Sequence, residues 1–212
     1  MSEILAELEK PLVKNFREKR KLYCIPLLHY DKDSLEDYLK QIDQYWSQVA
    51  EQVEKLEKAG KVKKIYHENN SKIQEEGLES IKSINEKSYA FIKKKFERGA
   101  ELEAFEDKEL LDEFQDWQMC LLVTGRSKLV FEKIQNFMKE TYERRIKHLS
   151  KRIVETLNKG EAGVLISSED LRIRIQPFLS SDIQVFLIHP PALNEIKRWL
   201  RNHFDSKKPF TT

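Results

Sequence analysis

The chain has 212 residues, 35% of them charged and 40% apolar or aromatic, with a formal net charge of +2. That length and apolar content exclude a disordered polyelectrolyte, and two cysteines exclude a disulfide-stapled module. No apolar run approaches the roughly 18 to 20 residues of a membrane helix, and Met1 to Lys14 lacks the apolar centre of a signal peptide, so a cytoplasmic protein without a membrane partner is expected.

In chain order, Ser2 to Lys10 reads as a short helix stopped by Pro11, and Arg17 to Lys21 as a basic collar. Leu22 to Leu28 is a short apolar run, hence a buried strand, with Pro26 at an edge or near an end because it cannot donate to a ladder. Asp33 is placed to cap a helix that Glu36 steadies from the third position. Leu35, Tyr38, Ile42, Tyr45, Val49, Val53 and Leu56 recur at helical spacing up to Gly60. Val62 to Glu68 is a second strand, followed by an Asn69-Asn70-Ser71 turn. Gln74 to about Arg98 fits one helix or two with a break near Ser88. Glu106-Asp107 opens another that Gly125 closes, and a very long helix follows from about Lys128 to Lys159. Gly163 to Ile166 and Ile183 to Ile188 are the third and fourth strands, flanking a helix from Glu169 to Leu179. Pro191 fits the first turn of a last helix, Ala192 to Phe204, with Thr211 and Thr212 a frayed end.

Strands separated by helices predict parallel pairing. The expected fold is α/β: a small, mainly parallel four-stranded sheet flanked by helices, with a helical insertion and one very long helix. Residues 1–73 and 128–212 supply the two halves of the sheet domain and 74–127 the insertion.

All four strands end in polar residues, and parallel pairing gathers those ends on one sheet edge, where open α/β sheets bind ligands. The candidate ligand-binding residues are therefore His29, His67, Glu68, Ser168 and His189, with a cleft between the second and third strands near His67, Glu68 and Ser168. His67 leads, because Glu68 beside it can serve as its supporting partner. GxGxxG, GK[ST], GxSxG and HExxH are absent, so no catalytic set, metal ligand or cofactor is named. The acidic series Glu101, Glu103, Glu106, Asp107, Glu109, Asp112, Glu113 and Asp116 reads as a solvated helix face with Asp107 as an N-cap. From Arg126 onward 17 Lys and Arg stand against 10 Asp and Glu. This basic half, with Arg144, Arg145, Arg152, Arg172, Arg174, Lys207 and Lys208, lacks the interleaved aromatics of single-strand binders. Neighbouring glutamates account for much of it, and nucleic acid is not the favoured partner.

Residues 143–188, in particular Arg144-Arg145-Ile146, Arg152-Ile153 and Gly160 to Ser168, resemble a segment of the TraB, ChaN and erythromycin-esterase-like α/β proteins. In those a helix with spaced basic residues feeds a strand ending in a Gly-x-x-His turn. Ser168 stands here at the Gly position and Leu171 at the His position. The resemblance implies the sheet and argues against carrying hydrolase activity over to that strand. Three function classes follow. The first is a small-molecule or metal-binding pocket at the strand C-terminal edge, a degenerate hydrolase being one form of it. The second is a helical scaffold or interaction protein, homo-oligomeric because the long helix exceeds what a small sheet can cover. The third is a weak nucleic-acid binder.

Overall fold

The computed structural model describes residues 18–30, 34–123 and 125–205. The expected helix from Ser2 to Lys10, the Asp33 cap and the Lys207 to Thr212 end lie outside the described residues.

Five strands form one parallel sheet: β1 (Arg20–Pro26), β2 (Val62–His67), β3 (Glu101–Leu102), β4 (Ala162–Ser167) and β5 (Ile183–Leu187), in the order β3-β2-β4-β1-β5. The sheet thus has five strands where four are expected. β3 pairs Glu101 and Leu102 with Lys64 and Ile65, and two residues are too few to carry a period-2 signal. Its presence divides the helices between β2 and β4 into two crossovers. Strands covered on both sides read as unbroken apolar runs, as Leu22 to Ile25 and Ala162 to Ile166 do. Pro26 sits at the end of β1, where the ladder no longer needs its missing donor.

Helices cover both faces. α1 (Glu36–Leu56), α2 (Gln74–Ile84), α3 (Glu86–Glu97) and α7 (Pro191–Asp205) enclose the first core, where Tyr23, Ile25, Ile65, Val164 and Ile166 from the strands meet Ile42, Tyr45, Val49, Ile92 and Ile196. α5 (Lys128–Thr156) and α6 (Glu169–Ile175) enclose the second, with Leu22, Cys24, Tyr66 and Leu165 against Ile146, Leu149, Ile153, Leu171 and Ile175. α2 and α3 break at Asn85, whose side chain accepts from Ser88 N at 2.9 Å and donates to Leu28 O at 2.8 Å. α4 (Lys108–Val123) opens on Asp107, whose carboxylate accepts from Leu110 N at 3.0 Å.

The long helix is α5, 29 residues ending at Thr156 rather than Lys159. Its buried residues begin at Thr141, so the half before them projects beyond the sheet, accompanied by α4. At the opposite edge from the polar strand ends, Arg20 clamps the assembly. It meets Asp182 with two nitrogens at 2.8 and 2.7 Å and donates to the carbonyls of Val154 and Leu157. This guanidinium, with help from the Ser180 hydroxyl, holds the Asp182 carboxyl far below the usual carboxylate range.

Candidate functional site

The C-terminal ends of β2, β4, β1 and β5 lie side by side, and their hydrogen bonding continues past the strands. Glu68 N donates to Ile166 O at 2.9 Å, Leu27 N to Ser167 O at 2.8 Å, and Ile188 N to Cys24 O at 2.9 Å. β2 and β1 leave toward helices on the first face, β4 toward α6 on the second. The sheet edge therefore splits on both sides of β4, the arrangement in which open α/β sheets bind ligands.

Between β2 and β4 this split is filled. Glu68 accepts from Ser168 N at 2.5 Å through Oε2 and from the Ser168 hydroxyl at 3.3 Å through Oε1, and Arg145 lies 3.6 Å from that same Oε1. The same guanidinium grips Glu106 with two nitrogens, at 2.9 and 2.5 Å, inside a region where the Glu106 side chain is 0% exposed. Burial works against the charge on Arg145, but the bonds from Glu106 outweigh it and hold the group more firmly protonated than an exposed arginine. Its guanidinium carbon lies over the rings of Phe114 and Tyr142, 5.3 and 6.0 Å from their centroids. Asn69, in the left-handed region at φ 67°, turns the chain after β2 so that its N–H reaches Glu106 at 3.1 Å. Asn70 fixes the other strand of this junction: its carbonyl accepts from Phe105 N and Glu106 N.

His67 is not part of that network. Alternation along β2 sends Glu68 toward α5 and His67 to the opposite face, where its ring is fully buried beside α3. Nδ1 donates to the Glu68 carbonyl at 2.6 Å, and Nε2 faces the Ser88 hydroxyl at 3.2 Å, whose one hydrogen is shared with the Asn85 carbonyl. Burial, reinforced by the charge of His29 and only partly offset by the Glu68 carbonyl, lowers its pKa to about 4. The expectation of an accessible edge histidine paired with Glu68 is corrected accordingly. His29 is exposed after β1, with its carbonyl accepting from Tyr38 OH.

Open space lies on the other side of β4. A small cleft, about 40 Å³, lies over the ends of β4, β1 and β5. Cys24, Ile25 and Ile188 line its inner part, and Ser167, Glu169, Arg172 and His189 its polar part. Glu169 is engaged by Lys197 at 3.2 Å and His189 Nε2 by Asn194 at 2.9 Å. Arg172 donates from one nitrogen to Gln176 at 2.9 Å, and its other nitrogens make no hydrogen bond among the described residues. Burial pushes the Cys24 thiol up to about 12, with the Arg172 charge pulling weakly the other way. It is a protonated thiol, not a nucleophile. The Ser167 hydroxyl donates to the Ser168 carbonyl at 3.2 Å and is thus committed to backbone, not to an imidazole that would activate it.

Of the expected set, then, Glu68 and Ser168 are brought together in the filled network, His189 borders the open cleft, and His67 and His29 lie apart from both. Sequence reasoning missed Arg145, Glu106 and Arg172 as members of the edge. Arg145 had a signal: it occupies a core position of α5, four residues from Thr141 and from Leu149, where a lone arginine needs a buried partner. Ser168 caps α6 through Leu171 N at 3.3 Å, and Leu171 is fully buried. Among the described residues no group of three or more His, Cys, Asp or Glu could hold a metal ion, and no helix is long and apolar enough to cross a membrane. Comparison with protein-family models, with curated proteins and with solved structures finds no match to the chain.

Proposed function

We propose that the protein binds a small molecule bearing a carboxylate or phosphate in the cleft over β4, β1 and β5. Arg172 carries this reading. It is a half-buried guanidinium with donors to spare, beside an apolar inner surface at a split of a parallel sheet. Ligand sites of this type combine an apolar body contact with a few converging polar groups, and an arginine fork matches an acidic group better than any other side chain. His189 would supply a second contact. Basic residues of the kind that meet nucleic acid are largely committed here, Arg144 to Glu113, Arg152 to Glu103 and Arg174 to Asp170.

Calorimetric titration with succinate, benzoate and inorganic phosphate tests the proposal. At least one should bind and raise the melting temperature, by about 2.7 kcal/mol of stabilisation at a hundredfold excess over Kd. Arg172→Gln should weaken that binding by about tenfold or more with the unliganded melting temperature unchanged. Equal binding by the variant, or none by the wild type, refutes the assignment.

A further inference from the structure

Of the thirteen exposed large apolar side chains among the described residues, seven lie on α4 and α5. The two helices meet through stacked rings, Phe114 on Tyr142 at 5.1 Å and Trp117 on Phe137 at 5.0 Å. That contact fixes the inward face of α4. Met119, Leu122 and Val123, spaced i, i+3 and i+4, therefore fall on the outward face, and they are 59%, 79% and 78% exposed. Leu129 and Val130, at the start of α5, are also exposed. A helix apolar on both faces is normally covered on both.

The outward stripe of α4 has a direction. Asp112 and Asp116 precede Met119, Leu122 and Val123 at the same helical spacing, and Arg126 follows just beyond the helix end. Read along its length the stripe is acidic, then apolar, then basic. A second copy run antiparallel about a two-fold near residue 121 lays apolar on apolar and sets Asp116 against Arg126 of the other chain. A stripe that complements its own reverse is what an isologous interface requires. An anionic lipid surface would gain from Arg126 but would meet Asp112 and Asp116 as well, so the charge order favours protein over membrane. Asp112 pairs with Lys108 on its own helix, which leaves Asp116 as the principal partner.

We infer that this face is a dimer interface between two copies of the chain. Met119, Leu122 and Val123 form the centre of that interface, with Asp112, Asp116 and Arg126 as its polar rim. The inference is independent of what the cleft binds.

Sedimentation equilibrium on the full chain provides the test. The wild type should dimerise in the micromolar range. Leu122→Asp, on a side chain already in water, should weaken association by about tenfold or more while circular dichroism and melting remain those of the wild type. Asp116→Arg and Arg126→Asp should each weaken it, and the double variant should restore it. A chain monomeric at about 100 µM overturns the inference, whether or not it sediments with phosphatidylserine vesicles. A dimer indifferent to Leu122→Asp, or charge variants without mutual rescue, overturns it too.

Discussion

Arg145 holds together three loops that would otherwise repel or drift: the exit of β2 through Glu68, the β3–α4 turn through Glu106, and, through Glu68, the Ser168 cap of α6. Removing one partner of a buried ion pair strands the other charge in a poorly solvated site, at a cost of about 3 to 5 kcal/mol. Arg145→Ala should lose that much in urea denaturation. Arg145→Met combined with Glu106→Gln should recover most of it, because the second change removes the stranded charge but keeps an acceptor for Asn69 N. A single-variant loss no larger than a surface substitution, about 0.5 kcal/mol, would show the network to be incidental. His67 makes a separate demand at the same strand end. Its imidazole takes up a proton near pH 6.5 when unfolded but only near pH 4 when folded. The unfolded chain binds the extra proton between those values, so the contribution is fully present above about pH 6.5 and is lost as pH falls toward 4. Stability should drop by about 2 kcal/mol from pH 7 to pH 5 on this account. His67→Gln should flatten that fall; an equally steep fall in the variant would assign it elsewhere.

Along α5 the two halves live in different surroundings. Leu149 is fully buried between the sheet and its own helix, whereas Val130 stands on the projecting arm. Leu149→Ala should cost about 2 to 5 kcal/mol, Val130→Ala less than about 0.5 kcal/mol, and thermal or urea unfolding of the two variants measures the contrast directly. A comparable loss from Val130→Ala in the monomer would mean that the arm is packed against something within the chain. The elements themselves were largely legible: Tyr38, Ile42, Tyr45, Val49 and Val53 announce α1, and Asp107 announces the start of α4. β3 was not. Leu102 is its only apolar residue, and a two-residue strand is defined by its pairing with Lys64 and Ile65, which no local pattern displays. Ending α5 at Thr156 was equally illegible, because Leu157 continues the apolar stripe while its backbone turns out of the helix.

At the scale of the molecule, parallel pairing gathers the polar strand ends on one edge, and that much followed from the alternation of strands and helices. Which strand pair leaves room did not. The order β3-β2-β4-β1-β5 inserts the third predicted strand between the first two, a long-range choice with no local trace, and it is this insertion that sets a filled split on one side of β4 and an open one on the other. The face on which Glu68 and His67 part company is likewise a matter of register: one residue along β2 separates a carboxylate in the charged network from an imidazole in the core. Amide chemical-shift titration of the uniformly labelled chain with succinate, and separately with inorganic phosphate, tests the cleft most directly. Saturable shifts at Ser167, Glu169, Arg172, Ile188 and His189, absent in Arg172→Gln, are the predicted result; shifts centred on Glu68, Asn69 and Ser168, or none at the cleft with either probe, would contradict it.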